Sequence, residues 1–301
     1  MTLRGSGGSA GRESGVGCDV KSWKLFPRGL QWPAGYKLQE LFSETTKGKM
    51  AASKVIILTG ASRGIGLAIA HYLLKQSHKL VVVARSEGPL RELEKQYKDN
   101  VAVCAGDLTD FSLGQKAVDL ATQRFQKLDG LIINHGVLDP VKRIADCTAE
   151  EWRAGYDANF FSAVAMSKAA LGELRKSKGC IVFVSSGAAI NAYPSWGAYG
   201  SAKAAMNHLA MTLANEEKDI TSISVRPGVV DTEMQTDIRQ KHNTAMDEKD
   251  AARFKELKET GGLLRPEQPG HVMARLVLNA PKELSGKFVD WKGEELKAFQ
   301  D

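Results

Sequence analysis

Disulfides and structural zinc have little to work with in this chain. It has only Cys18, Cys104, Cys147 and Cys180, with no C-x-x-C pair, and three of the four fall in predicted strand or helix contexts. That usage suits a reducing compartment and argues against a disulfide framework or a metal site. Long apolar runs are missing too. The runs are strand-sized, well short of the ~20 residues that span a bilayer, so a membrane span is excluded. No internal repeat is evident. Blocks of a single charge sign are also lacking, because 41 Lys and Arg are interleaved with 35 Asp and Glu for a net charge of +6. A nucleic-acid binder gathers its cations into a patch, which makes that reading the poorer one. A modest positive potential would instead draw an anionic cofactor. What remains, 301 residues with 43% hydrophobic content and alternating strand and helix signals, fits one sizeable α/β core.

Residues 1–49 differ in kind. Glycine and serine cluster early, Pro27 and Pro33 interrupt, and no strong periodicity appears, so a disordered extension is expected. Few acids and several basic residues leave a mitochondrial transit peptide open, although the early glycines and the lack of an amphipathic stripe weaken it. Alternatively, Met50 marks the usual start of a cytoplasmic protein whose catalytic domain is residues 50–301.

The apolar run 55–58 leads directly into Thr59, Gly60, Ala61, Ser62, Arg63, Gly64, Ile65 and Gly66, with Leu67, Ala70, Leu73 and Leu74 at helical spacing behind it. Strand, glycine turn and helix in that order make a cradle for a dinucleotide phosphate. The glycines let the backbone come close, and the N–H groups that open the helix face the charge.

A second constellation tells what the nucleotide is for. Tyr199 and Lys203 are four apart in a stretch, 198–214, rich in alanine, leucine and methionine. On a helix they share one face. Ser186 precedes Tyr199 by thirteen residues and ends the strand-like run 180–184, which sets all three at the carboxyl edge of one sheet. Reducing a ketone needs a hydride donor on one face and a proton for the oxygen as charge develops there. Tyr199 is the candidate proton donor, Lys203 the neighbouring charge that would stabilise its phenolate, and Ser186 a hydroxyl that hydrogen-bonds the substrate oxygen without forming an adduct. The plainer reading is a surface tyrosine beside a solvated lysine.

The turn 59–66, Asn134 with Gly136, Ser186, Tyr199 with Lys203, and Pro227 with Gly228 together resemble the short-chain dehydrogenase/reductase family over roughly residues 53–292. The blocks 84–87, 195–200 and 211–217 resemble the fungal benzil reductase branch, near sepiapterin reductases. The resemblance implies a single Rossmann-type doubly wound parallel sheet with helices on both faces. It also implies that Lys203 holds the nicotinamide ribose, and that Asn159 holds a water linking Lys203 to solvent. Asn134 and Gly136 would lie beside the cofactor, Asp107 would contact the adenine, and Lys168 would be a supporting contact. The loop with Pro227, Gly228, Val230 and Thr232 would hold the nicotinamide amide. Plainer readings stand beside these: a polar cap for Asn159, a helix N-cap for Asp107 and a solvated lysine for Lys168. His135 takes the place of the family's usual small residue between Asn134 and Gly136, and a hydrogen-bonded structural side chain is expected there rather than a second acid.

Cofactor choice turns on charge near the adenosine ribose. An acid about 20 residues beyond the glycine turn would favour a free 2′-hydroxyl, but position 84 is alanine, followed by Arg85 and Ser86, with Arg63 in the turn itself. Two guanidinium groups and a hydroxyl suit a 2′-phosphate, so NADP(H) is expected. By resemblance, residues 233–264 form a lid, with Met234, Ile238, Met246 and Phe254 as its apolar inner wall. Tyr193 and Trp196 near the pocket mouth suit an aryl carbonyl, although Trp196 also suits a subunit interface. The expected activity is NADPH-dependent reduction of an α-diketone or aryl ketone by a homo-dimer or tetramer associating through helices around 150–175 and 199–215. Oxidation of a secondary alcohol by the same site, or a noncatalytic dinucleotide sensor, are the alternatives.

Overall fold

The computed structural model describes residues 52–301, so the expected N-terminal extension lies outside the described residues. Seven parallel strands form one sheet in the order β3-β2-β1-β4-β5-β6-β7. They are β1 Val55–Thr59, β2 Lys79–Ala84, β3 Val101–Ala105, β4 Gly130–Ile133, β5 Cys180–Val184, β6 Thr221–Arg226 and β7 Phe288–Asp290. The central strands are short, apolar and rich in Val and Ile, and β1, β4 and β5 are buried along their whole length. That is the signature of a parallel sheet covered on both faces.

Alternate residues feed two cores. Ile56 and Leu58 pack with the helices Gly64–Lys75 (α1), Glu87–Tyr97 (α2) and Glu267–Asn279 on one face. Val55 and Ile57 pack on the other with Leu113–Phe125 (α3), Ser162–Ser177 and Gly197–Glu216. The helix between α3 and Ser162–Ser177 is Ala149–Tyr156 (α4), which begins with a capping box formed by Thr148 and Glu151. In chain order Ser162–Ser177 is α5 and Gly197–Glu216 is α6; then come α7 Glu233–Gln240 and α8 Glu248–Glu259, with Glu267–Asn279 as α9.

The strand order reverses between β1 and β4, whose registers run Ile56 to Gly130 and Leu58 to Ile132. In open parallel sheets this reversal leaves a crevice beyond the carboxyl ends of the strands, where ligands bind. Cys104 and Cys180 lie in strands as expected, whereas Cys147 lies in the loop before α4. Among the described residues no helix is long and apolar enough to cross a membrane, and no group of three or more His, Cys, Asp or Glu could hold a metal ion.

Candidate active site

The crevice is a cavity of about 820 Å³. Of the residues singled out in the sequence, Gly60, Ser62, Arg63, Gly64, Ile65, Arg85, Ser86, Asp107, Asn134 and Gly136 line one part of it. Ser186, Tyr199, Lys203, Pro227, Gly228, Val230 and Thr232 line the rest. Among the candidate catalytic and cofactor-binding residues, three do not reach the wall. Gly66 packs beneath the turn, Asn159 is buried behind Gly136, and Lys168 is exposed on α5 away from the cavity.

The glycine turn is shaped by close approach. A Cβ at Gly66 would lie 2.1 Å from the Gly60 carbonyl oxygen and 2.6 Å from Asn134 Nδ2. Gly60 itself has φ +65°, the left-handed region that side chains disfavour. Asn134 ties the turn to β4, its Nδ2 donating to the carbonyls of Thr59 at 3.2 Å and Gly60 at 3.0 Å. α1 then begins with no side-chain cap and no acid in its first turn, which leaves its opening N–H groups available to an anion. Such a cradle fits a dinucleotide pyrophosphate.

At the end of β2, Ser86 precedes α2 without capping it, so its hydroxyl is not spent on the helix. Arg85 lies 4.0 Å from Asp107 across the same part of the cavity. Asp107 is not the N-cap of α3, a role that falls to Ser112. Its Oδ1 instead accepts from the Thr109 backbone and hydroxyl, both at 2.9 Å, and the backbone bond is the main cause that holds its carboxyl below the ordinary range. Arg63 is engaged as well, in an exposed ion pair with Glu233 at the start of α7.

The tyrosine end of the cavity is built where α6 meets β5. Gly200 lets the helix close on the turn after Ser186, since a Cβ there would lie 2.8 Å from the Ala188 carbonyl oxygen. That approach sets the Ser186 hydroxyl against the Tyr199 phenol, while Ser186 Oγ also accepts from Ala188 N at 3.1 Å. Both Tyr199 and Lys203 are buried, and Lys203 Nζ donates to the Val184 carbonyl at 2.9 Å. Burial decides both titrations. It lowers Lys203 to about 8 and raises Tyr199, with the Ser186 hydrogen bond pulling the other way. Desolvation is the larger cause at Tyr199, and its phenol keeps its proton at neutral pH.

Asn159 lies in a π-helical turn, Asp157–Phe161, between α4 and α5. The wider turn aims its amide inward, where Nδ2 donates to Val137 O and Gly155 O, both at 2.9 Å, and Oδ1 accepts from Val137 N at 3.0 Å. A Cβ on Gly136 would sit 3.0 Å from Asn159 Oδ1 and 3.4 Å from Lys203 Nζ, which locates both groups behind the same backbone. His135 is wedged between Thr59 Oγ1 and Ser162 Oγ, each 2.8 Å from a ring nitrogen. Burial, followed by the Lys203 charge, pushes it down to about 3, so it stays neutral and structural. Thr59, which opens the glycine turn, also ties β1 to β4. Its hydroxyl donates to Ile132 O at 3.2 Å and accepts from Asn134 N at 2.9 Å, pairing strands more than seventy positions apart, for which no local signal exists.

Residues 233–264 pack over the tyrosine end. Ile238, Met246 and Phe254 are buried with Trp196 and Tyr199, and Met234 is partly buried against them. Trp196 is thus an inner wall rather than an interface residue. It stacks on Phe254 with centroids 5.6 Å apart at 18° and meets Tyr199 edge-on at 6.2 Å and 89°. The segment returns where Leu264 N donates to Val229 O at 2.9 Å and Asp231 N to Leu264 O at 2.8 Å.

Comparison with known proteins agrees with this geometry. Residues 54–243 match the family model described as short chain dehydrogenase. An uncharacterized oxidoreductase of Schizosaccharomyces pombe is 47% identical over 243 residues, covering 80% of this chain and 97% of that one. The (S)-benzoin-forming benzil reductase of Saccharomyces cerevisiae is 40% identical over 260 residues, 82% of this chain and 99% of its own. A crystal structure of a Saccharomyces cerevisiae short chain dehydrogenase/reductase superposes with a TM-score of 0.81 at 41% identity, covering 83% of this chain and all of that one. The chain therefore belongs to the short chain dehydrogenase family, oxidoreductases that bind a nicotinamide dinucleotide.

Proposed function

We propose that the protein is an NADPH-dependent reductase of a small α-diketone or aryl ketone. The observation that carries this reading is the meeting of Ser186, Tyr199 and Lys203 on one cavity that the aromatic stack of Trp196 and Phe254 also lines, beside the phenol. The name of the Saccharomyces benzil reductase points the same way. When bound, the dinucleotide supplies a hydride to the carbonyl carbon. Tyr199 holds a proton at its Oη and releases it to the carbonyl oxygen as negative charge grows there. The Ser186 hydroxyl hydrogen-bonds that same oxygen, and the Lys203 ammonium supplies the nearby positive charge. Asn159 and Gly136 fix the wall behind Lys203, and residues 233–264 act as a lid that keeps water from the reacting carbon. Lys168 has no part in this arrangement.

The preference for NADPH rests on Arg85 and Ser86, since β2 ends in Ala84 rather than an acid and the serine hydroxyl is free of a cap. Arg63 would exchange Glu233 for the phosphate. Substituting Arg85→Asp is expected to raise KM for NADPH by about tenfold or more through lost charge-assisted bonds and new repulsion. NADH kinetics should change little, and steady-state assays with both cofactors check it. An unchanged NADPH preference would remove Arg85 from the account.

The pH dependence follows from Lys203. Because its pKa is lowered to about 8, the ammonium is present below that value and lost above it. The reductive kcat/KM for NADPH, which reports the free enzyme, should fall as pH rises through about 8, well before the phenol titrates. A profile flat to pH 9.5 would contradict a charged Lys203 as the working form. Association as a homo-oligomer through α5 and α6 is supported by Phe161 beside α5 and Met211 on α6, both exposed.

A further inference from the structure

Four of the six lysine and arginine side chains that line the cavity lie near a carboxylate or a carbonyl. Arg63 pairs with Glu233, Arg226 pairs with Asp290, Arg85 lies near Asp107, and Lys203 donates to Val184. Arg253, on α8, is different. Among the described residues no carboxylate lies within 4.0 Å of its guanidinium, not even its helical neighbours Asp250 and Glu256. Its one side-chain bond is Nη1 to the Tyr193 hydroxyl at 3.1 Å, which leaves four N–H donors. Lys292 is also unpaired on the cavity wall, but it adjoins Trp291, which packs against Gly228 in the expected cofactor loop.

We infer that Arg253 anchors an anionic group carried at the far end of an aryl carbonyl substrate. This rests on the reductase reading above. Rings lead from the reacting phenol to the cation: Tyr199 to Trp196 at 6.2 Å, Trp196 to Tyr193 at 4.9 Å, and the Tyr193 hydroxyl to Arg253. A substrate ring lying along that wall brings its distal edge to the guanidinium. A 2-oxo acid, whose carboxylate adjoins the reacting carbon, is too short to reach it, whereas a carboxylate on the remote edge of an aryl group fits. The planar fork suits a carboxylate, and the Tyr193 hydroxyl and the Phe254 face, 5.7 Å from Arg253 Cζ, hold the fork in place.

The test compares benzil bearing a 4-carboxylate with its methyl ester, a neutral substrate of similar shape. The native enzyme should show a kcat/KM about tenfold higher for the acid at low ionic strength, with the gap narrowing as salt is added. Arg253→Gln should bring the ratio near one and Arg253→Lys should restore part of it. The ratio cancels any general loss of activity in the variants. Equal rates for acid and ester in the native enzyme, or a ratio that survives Arg253→Gln, would overturn the anchor. If neither derivative nor benzil itself is reduced, the diketone reading fails, and the anchor is judged by calorimetry with 4-benzoylbenzoate and its methyl ester. Tighter acid binding that disappears in Arg253→Gln upholds it, and equal binding overturns it.

Discussion

Tyr199→Phe is expected to lower kcat for ketone reduction by about 10³-fold, in the range that a positioned general acid contributes. The variant keeps the ring that meets Trp196 edge-on and loses only the hydroxyl that faces Ser186. The buried cluster of Ile238, Met246 and Phe254 should therefore pack as before, and NADPH affinity should stay close to native. The expected cost in stability is small, about 1 kcal/mol or less, because the ring's packing is kept and only the hydroxyl beside Ser186 is removed. Stopped-flow and steady-state rates, with NADPH binding followed by fluorescence, separate the two effects. Turnover retained within a few fold would remove Tyr199 as the proton donor. Cofactor binding lost along with turnover would mean the substitution damaged the site.

Gly66→Ala should have the other large effect, on the cofactor rather than the proton. Its Cβ would enter the Gly60 carbonyl and the Asn134 amide together, and the latter is the tie between the turn and β4. Neither neighbour can yield without moving the backbone that opens α1. Overpacking of this kind costs about 1–3 kcal/mol or more, which, expressed at the cradle, is a roughly ten- to hundredfold loss of affinity. The expected result is a lowered melting temperature and NADPH binding weakened by about that factor. A variant with native NADPH affinity would show that the turn does not cradle the dinucleotide.

Local patterns made much of this legible. The buried strand before the glycine turn, the four-residue spacing of Tyr199 and Lys203, and Ser186 at a strand end are short-range features, and the parallel sheet brings them to one edge as expected. What escaped the sequence depends on distant partners. The Arg63–Glu233 pair and the Thr59 hydroxyl, which joins β1 to β4, link positions that no periodicity connects. Spacing displays the lysine beside Tyr199 but not the depth of burial that raises the phenol's pKa. Trp196 could have faced a partner subunit on sequence grounds, and only the fold of 233–264 turns it inward against Phe254. Asp107 has the residue type of a helix cap, yet the helix starts later and the carboxylate serves the Thr109 turn. His135 was read correctly as structural, since a lone imidazole without a carboxylate partner is more often held by hydroxyls, here Thr59 and Ser162.

The most direct test of the account is cofactor oxidation by the purified protein with benzil and other α-diketones, run in parallel with NADPH and NADH and followed by the loss of reduced nicotinamide absorbance. Diketone-dependent turnover that strongly prefers NADPH is expected, with a hydroxyketone as product. Tight NADPH binding with no turnover of any diketone or aryl ketone would contradict it.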